Sequence, residues 1–522
     1  MNKIHKFGSI ILSIVFLSGC GISPNPDKPT KDYTDIDFYC VNDFHGHIAN
    51  ENGFNGVSKL SGFLSYQYEH NPNNEHVFLN AGDLWQETYD SAINRGKLLT
   101  EAFREMDCEA MALGNHEFDW TLNTIIDNRT YAKSEDKEFS FLGANIYHYD
   151  VMRSEPTIQA SELCDSYKII NRGDIKIGII GGIGVDQLSS ITSSNWTDIT
   201  FIDFVPVFKD LSDYLRTEKE CDVIVALIHT PLRGNEDKIE ELSEISSVSH
   251  SRYVDLGFLG HSHREELGVF NDVAWIQANS KGSQIGKTSI RINKDKSINT
   301  LEHTYTLGLS GKTIAGANND PKIDEIINKY LTQDIIDTKN QVVGKFTNAT
   351  TSALYNSIGH ILGKTTYDTF LDIKENDPRL SDVNIDVVIN NGNRGYNRLS
   401  NFPYATRGEI FDYIPFTNRT IVAKVLGKDI ISECVNYSNP YYTPETRLEI
   451  YSNKYYTVAV IDYLLLHKNE VTRKYNYFTS YDGNVIYIIE DYCHDIVSNY
   501  LLKHGEFDMY SLNGHTSTIV EM

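Results

Sequence analysis

The sequence predicts an α/β protein in two parts, a larger domain of layered sheets and helices followed by a smaller α+β domain. Three observations predict this. Between residue 34 and about 310, short apolar runs recur with helical stretches between many of them, as in domains whose buried strands alternate with helices. Five segments of this region place amide, imidazole or carboxylate side chains at the ends of such runs. Near 310 the chain turns into a Gly/Asn-containing stretch, and beyond about 343 it mixes short strand and helix patterns rich in Tyr and Asn.

Taken from the N-terminus, "MNKIHK" is basic, "FGSIILSIVFL" is apolar but too short to span a bilayer as a helix, and "LSGC" closes at Cys20. This resembles a bacterial lipoprotein signal in which the cysteine becomes lipidated and N-terminal. Residues 1–20 are therefore expected to be a signal peptide and 21–33 a polar, Pro-containing tether. The expected location is extracytoplasmic, with the lipid on Cys20 holding the protein to a bacterial membrane.

The first domain spans 34–310. Its predicted strands are "DIDFYCV", "HVFLNA", "EAMALG", "FSFLGA", "KIGIIGGIG", "DVIVALIH", "VDLGFLG" and "VAWIQA", and "VFKDLSDYLRTEKE" carries the apolar spacing of an exposed helix. Residues 311–342 form a linker and one connecting helix: Asp320 can cap it, Pro321 suits its first position, and Ile323, Ile326, Ile327, Tyr330 and Leu331 share a face. The second domain spans 343–522.

Of the 522 residues, 47 are Lys or Arg and 71 are Asp or Glu, for a net charge of −24. That balance, with no long basic run, excludes the basic footprint by which proteins grip nucleic-acid polymers. Small anionic ligands remain compatible with it. Besides Cys20, the six cysteines (Cys40, Cys108, Cys164, Cys221, Cys434 and Cys493) are widely spaced, permit disulfides without requiring them, and are expected to hold no metal.

The chemistry lies in the polar residues that follow the strands. "YCVNDFHGHI" supplies Asp43 and His45, "FLNAGDLW" supplies Asp83, and "ALGNHEFD" supplies Asn115, His116 and Asp119. "ALIHT" supplies His229 and "GFLGHSHRE" supplies His261 and His263. Residues beyond the ends of neighbouring strands converge on one crevice. Asp43 and His45, two apart, could share an ion, while His261 and His263 could reach the same centre or adjacent ones. Carboxylate, imidazole and amide oxygen suit Zn, Mn or Fe. Gly82, Gly114 and Gly260 each precede one of these residues and let backbone approach closely. Any one piece is commonly a turn residue, a cap or a hydrogen-bonded core histidine. Their joint occurrence in order is not.

Asp-x-His, Gly-Asp, Gly-Asn-His-Glu, a lone His and Gly-His-x-His together resemble the calcineurin-like metallophosphoesterases, here in the form of the exported 5′-nucleotidase branch. The resemblance implies an N-terminal layered α/β metallophosphoesterase domain and a C-terminal α+β substrate-binding domain. It also implies two divalent metal ions. One is held by Asp43, His45, Asp83 and His263, the other by Asp83 as bridge with Asn115, His229 and His261. His116, held by Asp119, then stands beside the phosphate and binds no metal. By the same resemblance, a hydroxide shared between the ions attacks phosphorus in line.

The second domain matches more loosely. The family's arginine loop corresponds to "DVVINNGNRGYN", which keeps Asn391, Gly392 and Arg394 but is one residue shorter and poorer in glycine. "DYIPFTNRTIV" supplies Phe416 as a base-stacking aromatic, and "IDYLLLHKNE" supplies Tyr463 for the opposite face, without the family's glycine-rich sequel. The expected substrate is a nucleoside 5′-monophosphate. Nucleotide sugars, 2′,3′-cyclic nucleotides and non-nucleotide phosphate esters are alternatives, as is a surface-binding lipoprotein built on an inactive enzyme fold.

Cys20→Ala is expected to release the protein from membranes or leave its signal uncleaved, read by fractionation and N-terminal mass. Normal processing with unchanged membrane retention would remove the lipid.

Overall fold

The computed structural model describes residues 32–49, 56–133, 136–192, 195–196, 198–308, 318–391, 399–436, 438–442, 449–469, 474–515 and 520–521. The signal segment, Cys20 and Arg394 lie outside the described residues. Among the described residues, no helix is long and apolar enough to cross a membrane.

All eight predicted runs form strands. The first sheet contains β1 (Tyr33–Val41), β2 (Glu75–Asn80), β3 (Cys108–Ala112) and β4 (Ser140–Leu142) side by side and parallel, extended beyond β1 by β14 (Gln284–Asn293) and β15 (Ile298–Gly308). In the second, β8 (Ile175–Ile183), β10 (Val223–His229), β11 (Leu256–Leu259) and β13 (Val273–Gln277) are parallel, with β7 (Tyr167–Arg172) and β12 (Glu266–Phe270) as antiparallel edges. A small third sheet joins β5 (Ile146–Asp150), β6 (Glu155–Gln159) and β9 (Ile199–Phe201).

The two large sheets pack face to face. Because side chains alternate along a strand, every run serves two layers. Ile36, Phe38 and Cys40 of β1 meet Val223, Val225 and Leu227 of β10 between the sheets. Tyr39 and Val41 face the other way, into a layer with Leu60 and Phe63 of helix Val57–His70 and Leu98 and Phe103 of helix Lys97–Glu105. On the far side, Ile224, Ala226 and Ile228 pack with Phe204, Phe208 and Leu215 of helix Phe204–Thr217. Burial on both faces explains why these strands read as continuous apolar runs. Each fully buried Ile, Leu or Phe contributes roughly 1.5–3 kcal/mol.

One expectation changes. The predicted single connecting helix is two, Pro321–Tyr330 and Gln333–Asn340. Asp320 caps the first through the backbone N–H of Lys322, and Pro321 opens it as expected. The predicted face also packs on the first domain, with Ile323 buried and Ile326, Ile327 and Tyr330 partly so. Leu331, itself part of that core, leaves the helical path at ψ 74°, and Thr332 is extended. The chain turns at Leu331 although Ile335 beyond the turn packs on the same core.

The second domain is α+β. Its main sheet runs β20 (Ser438–Tyr442), β17 (Val387–Asn391), β22 (Tyr455–Ile461), β19 (Arg419–Leu426) and β23 (Val485–Tyr492). A smaller sheet joins β16 (Val342–Thr347), β18 (Tyr404–Thr406) and β24 (Glu506–Asp508), and β21 (Glu449–Ile450) pairs with β25 (Val520–Glu521). Helix Thr351–Asn376 covers the core. Since β17 and β22 are parallel and β19 is antiparallel to β22, the end of β17, the end of β22 and the start of β19 lie at one edge. That edge faces the first domain: Gln86 Nε2 donates to the Pro415 carbonyl (2.6 Å), and the Tyr89 backbone N–H donates to Asp412 (3.3 Å).

Candidate active site

The site begins where the parallel strands of the two large sheets end. β1 delivers Asp43 and His45, β2 delivers Asp83, β3 delivers Asn115 and His116, β10 ends in His229, and β11 leads to His261 and His263. Asp43, His45, Asp83 and His263 bring one potential ligand atom each to within 4.8 Å of one another. Asp83, His229 and His261 do the same, so Asp83 belongs to both groups. Asn115 joins the second group, its Oδ1 lying 3.2 Å from His229 Nε2 and 3.0 Å from His261 Nδ1.

The backbone is bent to achieve this. Asp43 (φ 49°), His45 (51°), Asp83 (55°), His261 (85°) and His263 (56°) all lie in the left-handed region, which side chains other than glycine's seldom adopt. Such residues cost on the order of 1–3 kcal/mol each and persist only where the surroundings hold them. The glycines serve close approach. A Cβ on Gly114 would stand 2.2 Å from Asp83 Oδ1, and one on Gly260 would stand 2.7 Å from the Ala81 carbonyl. Gly82 combines both needs: its φ is 93° and its Cβ would meet His229 Nδ1 at 2.5 Å.

The donor set fits two cations. Asp43 and Asp83 are fully buried, where an uncompensated carboxylate is costly. His45 Nδ1 faces the Gln86 carbonyl (3.2 Å) and His229 Nδ1 faces the Ala81 carbonyl (2.8 Å). Donation from these nitrogens turns a bare Nε2 inward on each ring. His45 Nε2 then lies 2.7 Å from His263 Nε2, and His229 Nε2 lies 3.0 Å from Asp83 Oδ2. That carboxylate oxygen is buried and, the His229 ring apart, has no hydrogen-bond donor among the described residues. Lone pairs crowded together in this way need a shared positive centre. Burial, with His263 nearby, holds the His45 pKa well below its usual range, and burial with His229 nearby brings His261 to about 3. Both are neutral, as ligands must be.

His116 is different in kind. Its Nδ1 lies 2.5 Å from Asp119 Oδ2, and its backbone N–H donates to Asp83 Oδ1 (2.9 Å). Burial opposes its charge, but the Asp119 and Asp83 carboxylates outweigh burial and lift its pKa to about 10. It stands 5.0 Å from the His45 ring, centre to centre.

The second domain brings its candidates to the same place. Phe416, in the loop before β19, lies nearly parallel to the His116 ring at 6.0 Å. Asn391, Phe416 and Tyr463 line one cavity with His116 and Asp119. The expected arginine loop, with Arg394, lies outside the described residues.

Glu117 had no role in the sequence reading. Its buried carboxylate accepts backbone N–H groups of Asp83 (2.9 Å), Leu84 (2.8 Å) and Gly114 (2.8 Å), so it ties the Asp83 and Asn115 loops together without belonging to either metal-ligand group. Asn42 does similar work: its Nδ2 donates to Asp43 Oδ2 (2.6 Å) and to the Ala278 carbonyl (2.9 Å). The bonds that make them struts run to distant segments, from Glu117 to the Asp83 loop and from Asn42 to Ala278, and sequence spacing does not announce them.

Asp83→Asn is expected to lose at least one metal equivalent, measured by elemental analysis of the purified variant. Two full equivalents would remove Asp83 from the centre.

Residues 36–265 match the family model described as calcineurin-like phosphoesterase. An apyrase of Tabanus yao is 26% identical over 278 residues, covering 50% of this chain and 45% of that protein. A 5′-nucleotidase of Bos taurus is 24% identical over 265 residues, covering 49% and 43%. The chain thus spans less than half the length of these curated relatives. Among solved structures, a 5′-nucleotidase precursor from Thermus thermophilus superposes with a TM-score of 0.66 at 18% identity, over 91% of this chain and 97% of that one. Residues 36–265 are therefore a calcineurin-like phosphoesterase domain, set in a chain with the two-domain fold of the 5′-nucleotidases.

Proposed function

We propose that the protein is a dinuclear metal-dependent phosphoesterase that releases phosphate from nucleoside 5′-monophosphates, outside the cytoplasm and anchored by lipid on Cys20. The observation that carries this reading is the sharing of Asp83 between two ligand groups beside the His116–Asp119 pair. Two divalent cations in such a site activate water and neutralise phosphate charge. Asp43, His45, Asp83 and His263 would hold one, and Asp83, Asn115, His229 and His261 the other. Asp119 holds the His116 ring by Nδ1, which leaves Nε2–H as the donor for a phosphoryl or leaving-group oxygen.

Phe416 and Tyr463 supply aromatic faces for a base. The cavity they line with His116 holds only ≈ 30 Å³, whereas ligand pockets run to about 300–1,000 Å³. A base stacked there therefore needs more room than this arrangement leaves between Phe416 and His116. The shortened arginine loop and the absence of a glycine-rich sequel to Tyr463 favour a second reading, in which the same chemistry serves nucleotide sugars, cyclic nucleotides or other phosphate esters. The intact ligand groups and the His116–Asp119 pair weigh against an inactive binding protein.

His116→Ala is expected to keep both ions while turnover falls by about 10²–10⁴. Loss of metal would instead make His116 a ligand. Phe416→Ala is expected to raise the KM for nucleotides about ten- to a hundredfold, since stacking is worth roughly 1–3 kcal/mol per base. A small aryl phosphate should respond far less. Parallel losses on both substrates would make Phe416 structural, and equal wild-type efficiency on both would favour the second reading.

A further inference from the structure

Next to the cavity that holds His116 lies a larger one of ≈ 360 Å³, also between the domains and also lined by Asp119. Arg95 enters it from the first domain. Its backbone is left-handed (φ 54°), its guanidinium sits 5.3 Å from the centre of the Trp120 ring, and no carboxylate of the described residues lies within ion-pairing distance of it. The second domain contributes Arg419, placed 5.1 Å from the Tyr492 ring with Nε donating to the Glu490 carbonyl (3.0 Å) and its guanidinium 3.9 Å from the Glu490 carboxylate. Each domain thus presents a guanidinium steadied over an aromatic face.

One buried donor and a helix start add to this. Trp120 is 5% exposed, and its Nε1–H is buried without an acceptor among the described residues. Thr121 and Thr124 of the lining belong to the capped start of the ten-residue helix Leu122–Tyr131, where backbone dipoles favour negative charge. The two carboxylates of the lining are engaged. Asp119 holds His116 (2.5 Å), and Asp462 accepts from the backbone N–H groups of Arg419 (3.1 Å) and Tyr463 (2.7 Å).

We propose that this cavity is an oxyanion subsite, in which Arg95 and the Trp120 N–H bind a second phosphate-class group while the first is at the metal ligands. The proposal rests on the phosphoesterase reading above. Guanidinium groups present planar forks of donors that match phosphate, and stacking on a ring spares part of the entropy of holding them still. The second oxyanion is either part of the substrate's leaving group or a free anion beside it.

The test uses the full-length, metal-loaded protein. KM is measured for adenosine 5′-monophosphate and adenosine 3′,5′-bisphosphate, and inorganic sulfate is titrated calorimetrically. Arg95→Gln should raise the KM ratio of bisphosphate to monophosphate about tenfold or more, as loss of hydrogen bonds to a charged group does. Trp120→Phe, which keeps a ring under the guanidinium and removes the N–H, should raise it severalfold. It decides the matter if Arg95→Gln does not fold. Sulfate binding that Arg95→Gln abolishes, with an unchanged ratio, supports the subsite and identifies a free anion as its occupant. Equal weakening on both nucleotides, or no change in either the ratio or sulfate binding, overturns the proposal. A wild type that hydrolyses no phosphate ester overturns the phosphoesterase reading instead, and the sulfate titration still decides the subsite.

Discussion

Two fully buried carboxylates, Asp43 and Asp83, set the terms for the first domain. Neither can stay ionised in a dry interior without compensation, and the groups around them supply it. His261 donates its backbone N–H to both oxygens of Asp43 (3.0 and 2.9 Å), and His116 donates its own to Asp83 Oδ1. Glu117 gathers the backbone N–H groups of the two loops into one knot. The remaining need, at Asp83 Oδ2 and among the inward imidazole nitrogens, is one that cations meet. Left-handed backbone at five ligand positions is tolerable because the sheets beneath are packed on both faces and do not yield.

The second domain adds a different constraint. Its aromatic edge exists because β17, β22 and β19 end or begin together, which places Asn391, Tyr463 and Phe416 side by side. Contacts through Gln86 and Tyr89 bring that edge onto the first domain, so that Phe416 covers His116. The reaction centre is thus closed by an apolar ring, and the cavities between the domains are lined by both.

The sequence by itself determined eight of the first domain's fifteen strands and the residues of its chemical centre, because both leave local signatures, whereas the edge strands and the small third sheet do not. A strand buried on two faces must be apolar throughout, and all eight such runs were visible. A ligand must follow a strand end directly, so Asp43, His45, Asp83, Asn115, His229, His261 and His263 stood in short recognisable strings. Glycines beside them marked backbone approaches that a Cβ would block at 2.2–2.7 Å. What only the tertiary structure decided is whatever depends on partners far apart in the chain. Glu117 stands in the Gly-Asn-His-Glu string, but its hold on the Asp83 loop, 34 residues away, shows only in the fold. The break at Leu331 follows from a core that the helix meets, and periodicity continues through it. Arg95 carries no signal in the sequence; its place over Trp120 and opposite Arg419 is set by folding, because its surroundings come from segments some 25 to 320 residues distant (about 95 to 120 and 419) that no local pattern joins.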